Sequence, residues 1–390
     1  MSSAVYMIKY KLMEGLSMNR KEVILKFGEL FCGPGGLALG AIRAKVQTNN
    51  MIYSIDHAWA NDYHEATCET YRRNICPNNP ESVIHADVRK LDISSLENID
   101  VFAYGFPCND FSIVGEQKGF DGEFGPLYMY GVEVLNKFRP KFFVAENVGG
   151  ISSANNGVAF KKILYDLRKA GNGYNITPHL YKCEDYGVPQ TRHRVIVIGV
   201  DKTLCLSYKV PAPFTKNNPI TVREAIEIPP IKKDALNHEV RFVSKTVEER
   251  LNRIRPGENV WNANLPEHLK LNVQGAKLSQ IYKRLDPDKP SYTITGSGGG
   301  GTHGYHWKYP RALTNRERAR IQTFPDNFVF EGSHADVRRQ IGMSVPPEMS
   351  EIIFISILKT FARIKYPSIF SNIKFEADLF EEEIFEKEYI

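Results

Sequence analysis

The sequence predicts an α/β protein whose core is a mostly parallel sheet with helices on both faces. Over the first 200 residues, short apolar segments rich in β-branched and aromatic residues alternate with segments of helical periodicity. Such alternation is typical of βαβ units, in which successive strands run parallel. Past residue 200 the alternation stops, and Pro, Asn, Lys and Gly become frequent. We therefore expect a second, smaller and more irregular domain in that region.

Five segments are predicted as strands of the sheet: 23–31, 51–56, 101–106, 141–145 and 194–200. Between them, residues 61–74 and 126–138 show the apolar spacing of helices. Regular structure returns near the C-terminus, where Thr314 and Glu317 form a capping-box pattern at the start of a predicted helix. Residues 346–364 then predict a largely buried helix, which we expect to pack back on the first domain.

Composition places the chain among globular proteins, with 42% hydrophobic and 24% charged residues. It contains no run of eighteen apolar residues and no apolar segment after a basic N-terminus, so it predicts neither a membrane span nor a signal peptide. The six cysteines are scattered without a Cys-x-x-Cys pair, which favours reduced thiols in a cytoplasm over disulfides or zinc. The net charge is +5 although residues 376–390 are strongly acidic, and a basic body suits a polyanionic partner.

A glycine-rich turn follows the first predicted strand. In "FGELFCGPGGLALG", Gly33, Gly35 and Gly36 allow a tight turn and a close approach of a ligand to the N-terminus of the next helix. Asp56, at the predicted end of the second strand, is positioned to hold ribose hydroxyls, and Asp87 to accept from an adenine amino group. The turn therefore predicts a Rossmann-like site for an adenosine cofactor, and a nicotinamide dinucleotide satisfies the same pattern.

A thiol and a carboxyl group follow two other predicted strands. Cys108 lies in "GFPCNDFS" just past the strand at 101–106, and Glu146 lies in "AENVGG" just past the strand at 141–145. Because ligands bind beyond the carboxyl ends of parallel strands, we expect both side chains to share the cleft of the glycine turn. The remaining cysteines are interpreted as buried apolar residues or, for Cys32, as part of the turn.

These motifs resemble those of the DNA (cytosine-5) methyltransferases found in bacterial restriction–modification systems. "FCGPGG" is similar to the family's cofactor motif, "GFPCNDFS" to its catalytic loop, "AENVGG" to its acidic motif and "QTRHR" (190–194) to its arginine motif. "RLDPDKPSYTIT" (284–295), "RALTNRERARIQTFPDNF" (311–328) and "QIGMSVPP" (340–347) match the later motifs in the family's order. One departure is Met343, where the family usually has Asn.

The resemblance implies a reaction and its residues. Cys108 would attack C6 of a flipped-out cytosine, because a thiolate is the strongest ordinary side-chain nucleophile. Glu146 would hold and protonate N3, which requires a raised pKa. Arg192 and Arg194 would fix the pocket and polarise the base O2. C5 would then take the methyl group of S-adenosyl-L-methionine, and loss of the C5 proton would release Cys108.

The resemblance also implies a set of cofactor-binding residues and a division of the chain. The cofactor set comprises Phe31, Gly33, Gly35, Gly36, Asp56, His57, Asp87, Val88, Pro107, Leu127, Ser344 and Val345. We expect a catalytic domain at 23–200 that binds S-adenosyl-L-methionine, a target-recognition domain at 201–300, and a part at 301–365 that returns to the catalytic domain. Residues 1–22 are interpreted as an extension and 366–390 as an acidic tail.

The implied partner is double-stranded DNA, with no membrane, in a prokaryotic cytoplasm at the nucleoid. A cognate restriction endonuclease would act on the same site without direct contact. The basic excess of residues 201–300 fits phosphate contacts. "GSGGGG" (296–301) is either a hinge or a segment that lies against DNA together with His303, His306 and Trp307.

Three alternatives remain open at this point. An RNA cytosine-5 methyltransferase would use the same chemistry, although the long irregular region favours a reader of DNA sequence. A dinucleotide-dependent oxidoreductase explains the glycine turn and leaves Cys108, Glu146 and Arg192 without a joint role. A non-catalytic DNA-binding relative would have no reason to keep those three residues.

Overall fold

An eight-stranded sheet forms the centre of the molecule. The computed structural model describes residues 20–106, 127–152, 157–272, 278–296 and 301–375. The strands of the described residues are β1 (Lys21–Leu30), β2 (Lys45–Gln47), β3 (Met51–Asp62), β4 (Val83–His85), β5 (Val101–Gly105), β6 (Phe142–Val148), β7 (Tyr174–Lys182), β8 (Gln190–Thr191), β9 (His193–Asp201), β10 (Val210–Pro211), β11 (Ser291–Tyr292) and β12 (Ser368–Ile369).

The sheet follows the order β2-β3-β1-β5-β6-β9-β7, with β4 paired to β3. Strands β4, β3, β1, β5 and β6 pair in parallel. On one side β9 runs antiparallel between β6 and β7, so that β7 has the direction of β6, and on the other side β2 runs antiparallel to β3. The predicted α/β fold with a mostly parallel sheet is therefore confirmed. The carboxyl ends of β1, β3, β5 and β6 lie at one edge, which is where ligands bind in such sheets.

Nine α-helices occur among the described residues: α1 (Gly36–Arg43), α2 (Glu65–Asn74), α3 (Tyr128–Phe138), α4 (Val158–Lys169), α5 (Val222–Glu227), α6 (Lys245–Arg253), α7 (Asn315–Ile321), α8 (His334–Met343) and α9 (Pro347–Phe361). Two large apolar clusters cover the two faces of the sheet. Helix α9 packs on α1, where the Ser350 hydroxyl donates to the carbonyl of Leu37 at 2.7 Å. The predicted return of the last helix to the first domain is thus observed, and the capping box of Thr314 and Glu317 begins α7.

Several strands differ from the sequence prediction, and among them the short strands β2 and β4 of the sheet were not predicted. Strand β3 continues to Asp62 rather than ending at Asp56. Strand β7 was not predicted, because Pro178 and several polar residues interrupt its apolar pattern. Proline is tolerated there since β7 is an edge strand of the sheet.

The irregular region contains two smaller apolar clusters. One is built from residues 254–281 alone, around Ile254, Leu269 and Ile281. The other joins Val222 and Leu285 to residues beyond 300, such as Trp307 and Ile321. Residues before and after position 300 therefore share one apolar core in this part of the chain.

One apolar stretch, His334–Phe361, is long enough to cross a membrane by length and hydropathy alone. In the structure it forms the two helices α8 and α9, and 72% of its apolar 18-residue window is buried inside the protein. It is therefore explained as the core element that covers α1.

Candidate active site

The glycine turn connects β1 to α1 at the carboxyl edge of the sheet. Gly33 and Gly35 have φ angles of 54° and 96°, in the left-handed region that favours glycine. A Cβ at Gly33 would meet no atom within 4 Å, so the space in front of the turn is open. The N–H of Cys32 donates to the carbonyl of Asn61 at 3.0 Å and fixes the turn to β3.

Ser344 and Val345 lie directly against this turn. A Cβ at Gly36 would come within 2.3 Å of the Val345 carbonyl oxygen, so only glycine allows this approach. Both residues are buried, and the Ser344 hydroxyl donates to the carbonyl of Gln340 at 2.9 Å. The last predicted motif is therefore brought to the first, across about 300 residues of sequence. The Met343 side chain, in contrast, is 55% exposed.

The carboxylate at the end of β3 is Asp62, and the prediction that Asp56 ends this strand is wrong. Asp56 pairs with Lys26 in the middle of the strand, six residues or roughly 20 Å before the sheet edge. Asp62 instead accepts a hydrogen bond from the Gly33 N–H at 3.0 Å and one from the His64 N–H at 3.0 Å. Burial raises the pKa of the Asp62 carboxyl against the effect of these bonds.

His57 also lies away from the sheet edge. Its Nε2 is 2.8 Å from the Ser82 hydroxyl, and its ring packs beside that of Tyr71. Burial lowers the pKa of His57 to about 4, so the ring is neutral at pH 7. Asp56 and His57 therefore lie away from the sheet edge at which they are expected from the sequence, and Asp62 ends β3 at that edge, followed by Tyr63, which is 68% exposed.

Asp87 and the predicted apolar residues lie near the same edge. The Asp87 carboxylate caps a short 3₁₀ turn and pairs with Arg89 at 2.6 Å, and the hydrogen bond from Arg89 lowers the pKa of Asp87 to about 2. Val88 and Leu127 are buried in one apolar cluster, against which Phe31 packs. Phe31 itself has a φ of 52°, which continues the left-handed turn. Pro107 lies outside the described residues.

Glu146 and Arg194 form an ion pair on neighbouring strands. Glu146 is in β6 opposite Gly105, and its Oε1 is 2.9 Å from Nε of Arg194 in β9. A Cβ at Gly105 would come within 3.2 Å of the Glu146 Oε2, so glycine leaves room for the carboxyl group. Burial raises the pKa of Glu146, and the two arginines Arg194 and Arg192 oppose this effect only in part.

Arg192 is fully buried and bonds to the backbone. Its Nη2 donates to the Ser344 carbonyl at 2.8 Å and its Nη1 to the Ile294 carbonyl at 3.3 Å. Burial is the main cause that lowers the pKa of this guanidinium, to about 9. Arg192, directly before β9, therefore joins this part of the chain to two segments that lie more than 100 residues away, whereas Arg194 in β9 meets Glu146.

Cys108 lies outside the described residues, and the structure describes the chain up to Phe106. The Asn147 amide donates to the Phe106 carbonyl at 3.0 Å and fixes the end of β5 to β6. Sequence reasoning missed the roles of Asn147 and Asp62. The signal for Asp62 was the polar pair Asn61-Asp62 at the very start of the predicted helix 61–74, which marks a βα turn.

His306 and Trp307 do not face a partner. Both are buried, their rings stack at 4.1 Å, and His306 Nε2 is 3.7 Å from Glu317 Oε1. The expectation that these two rings lie against DNA is therefore wrong. His303 is part-buried and bonds to Arg338 at 3.0 Å.

The chain matches the C-5 cytosine-specific DNA methylases over residues 25–359. It therefore belongs to that family, and it is an enzyme of the DNA (cytosine-5) methyltransferase class.

Among its relatives, the Type II methyltransferase M.BbvI of Brevibacillus brevis is 57% identical over 357 residues, which cover 90% of this chain and 95% of the relative. The Type II methyltransferase M.NgoFVII of Neisseria gonorrhoeae is 36% identical over 96% of this chain and 94% of its own length. A crystal structure described as a DNA modification methyltransferase encoded within an E. coli prophage has a TM-score of 0.66 at 26% identity and covers 87% of this chain and 99% of its own.

Proposed function

We propose that this enzyme transfers the methyl group of S-adenosyl-L-methionine to C5 of a flipped-out cytosine in double-stranded DNA, through a covalent bond between Cys108 and C6. The observation that carries the proposal is the pairing of Glu146 with Arg194 at the sheet edge that also holds the glycine turn. A dinucleotide-dependent oxidoreductase would give this pair no role.

The residues at this edge fit an adenosine cofactor with a charged amino-acid end. Gly33 leaves open space in front of the turn, and the N-terminus of α1 begins at Gly36. Asp62 keeps lone pairs for ribose hydroxyls after accepting two backbone bonds. Tyr63 offers an exposed ring, and Val88 an apolar wall. When bound, S-adenosyl-L-methionine supplies a methyl group on a positively charged sulfur.

Side chains of the protein carry out the chemical steps on the cytosine ring. The Cys108 thiolate adds to C6 while Glu146 gives its proton to N3, so that the electron pair of the ring collects at C5. The raised pKa of Glu146 keeps that proton available near neutral pH. Arg194 polarises O2 from its place beside Glu146, and Arg192 positions Arg194's strand through its bonds to Ser344 and Ile294. After methyl transfer, N3 returns its proton to Glu146 and a base from solvent takes the C5 proton. The electron pair of that C–H bond forms the C5–C6 double bond and expels Cys108 as a thiolate.

The relatives named Type II methyltransferases support a role as the modification enzyme of a restriction–modification system. In that role the enzyme acts on chromosomal DNA in a bacterial cytoplasm. A cognate endonuclease reads the same site independently, because methylation of the site is sufficient to block cleavage.

The test uses DNA duplexes of random sequence that carry 5-fluorocytosine and, in a parallel reaction, RNA that carries the same base. Each is incubated with the protein and S-adenosyl-L-methionine. Fluorine at C5 cannot leave as a proton does, so the covalent intermediate accumulates and is detected by denaturing mass spectrometry. We expect an adduct on Cys108 that Cys108→Ala abolishes, while Cys32→Ala, a change in the turn, leaves an adduct. Adducts on RNA only would transfer the proposal to an RNA substrate. No adduct with either polymer, although the cofactor binds, would refute the covalent mechanism.

A further inference from the structure

A cleft of about 540 Å³ separates the catalytic residues from the irregular region. It is lined by Gly150, Thr191, Arg194, Gln280 and Tyr292, and Thr191 and Tyr292 belong to the paired strands β8 and β11. A Cβ at Gly150 would meet no atom within 4 Å, so this wall is open to a bulky ligand. Because Arg194 pairs with Glu146, whatever fills the cleft lies next to the proposed flipped base.

Side chains of the irregular region hydrogen-bond to the backbone just before Gln280. The Asn259 amide donates to the Ser279 carbonyl at 2.8 Å, and the Trp261 indole donates to the Leu278 carbonyl at 2.9 Å. Ile281 is buried in the cluster of residues 254–281, and its carbonyl accepts the N–H of Val260 at 3.2 Å. Recognition groups held on such a fixed backbone are placed more accurately than those on free loops.

The side chain of Gln280 is available to bind a ligand. Within the described part of the chain its amide makes no hydrogen bond, and it is only part-buried. An amide carries no charge, so it is a poor anchor for phosphates compared with the arginines nearby. Its donor and acceptor match the N7 and N6 atoms of adenine in the major groove, which Gln contacts in a bidentate manner.

We propose that Gln280 is a specificity-determining residue that reads an adenine within two base pairs of the target cytosine. This inference rests on the proposed function, since it takes the cleft beside Arg194 as the place of the duplex. It assigns one position of the recognition sequence to one side chain.

The experiment methylates a plasmid library of random sequence in vitro and finds 5-methylcytosine by bisulfite sequencing. For the parent enzyme we expect an adenine within two positions of the methylated cytosine, on either strand. For Gln280→Ala we expect that position alone to lose its preference, with a fall of about ten- to a hundred-fold in rate at the parent site. Gln280→Glu should move the preference at that position toward cytosine, whose amino group a carboxylate accepts.

Ser279→Ala is the matched control, because this neighbouring side chain is exposed and only its carbonyl is used. It should keep the parent pattern and rate. Cofactor affinity and melting temperature of the Gln280 variants should equal those of the parent. A Gln280→Ala variant with an unchanged preference at every position would overturn the proposal, as would a uniform loss of rate without relaxation. Absence of 5-methylcytosine from the parent reaction would instead refute the proposed function.

Discussion

At the carboxyl edge of the sheet, some of the residues proposed for the site bind the cofactor and others act on the cytosine base. Asp62 is tied to the glycine turn, Glu146 to Arg194, and Arg192 to the backbone of a distant motif. The two arginines of "QTRHR" are alike in sequence, yet one is fully buried and the other lies at the ion pair. Their different partners predict different effects of substitution.

Asp62→Asn should weaken the binding of S-adenosyl-L-methionine by about ten- to a hundred-fold, because a charged hydrogen-bond acceptor is lost. Asp56→Asn is the control, since Asp56 lies in the middle of β3 and away from the edge. Isothermal titration calorimetry of the two variants measures the difference. Equal affinities for both variants would show that Asp62 does not contact the cofactor.

Glu146→Gln should lower the single-turnover methylation rate by about 10²- to 10⁴-fold, the usual range for a lost general acid. In the parent enzyme the proton donor is present below the raised pKa of Glu146 and is lost as pH rises through it, so the rate should fall on the alkaline side. Glutamine does not titrate, and the variant should lack that fall. Parallel pH profiles of the two enzymes would contradict the assignment.

At the scale of elements, close contacts between segments distant in sequence close the cofactor site. Gly36 at the start of α1 touches Val345, which follows α8, and the Ser350 hydroxyl of α9 donates to the Leu37 carbonyl of α1 at 2.7 Å. These contacts place the last motifs on the first one without any covalent link.

Gly36→Ala should destabilise the protein by about 1–3 kcal/mol, because the new methyl group would overlap the Val345 carbonyl. Gly150→Ala, where a Cβ meets open space, should change the unfolding free energy by less than about 0.5 kcal/mol. Urea denaturation followed by circular dichroism measures both. Similar losses for both variants would mean that the segment at Val345 moves aside freely.

The elements that sequence predicted well have uninterrupted apolar patterns. The strands near 101, 141 and 194 and the buried helix near 346 were found within a few residues, because local pattern determines them. Asp56 was misjudged because a polar residue in an exposed stretch of β3 resembles a strand end. The bonds of Arg192 could not be predicted, since its partners Ile294 and Ser344 are set by tertiary packing alone.

At the scale of the whole molecule, a segment near the C-terminus covers one edge strand of the sheet. Residues 371–375 run along the edge strand β7, where the Asn372 side chain accepts from the Leu180 N–H at 2.8 Å and donates to the Leu180 carbonyl at 2.9 Å. Just before them, β12 pairs with β10. An edge strand offers unpaired backbone groups to other chains, and this segment satisfies some of them.

Asn372→Ala should lower the unfolding free energy by about 1–2 kcal/mol, because two backbone groups of β7 lose their partner. Phe370→Ala, two residues earlier, should have little effect because that side chain is 98% exposed. Thermal unfolding of both variants at equal concentration measures the difference. A loss no larger for Asn372→Ala than for Phe370→Ala would show that the segment does not protect the strand.

The packing of α9 on α1 has a consequence for synthesis of the protein. The first βα unit leaves the ribosome with an apolar helix that is covered only when residues 347–361 follow, about 300 residues later. At roughly 5–20 residues per second, that helix stays uncovered for on the order of 15–60 s. The glycine turn likewise lacks its wall at Ser344 and Val345 until then. Assembly of the proposed cofactor site is therefore among the last events in the synthesis of each molecule.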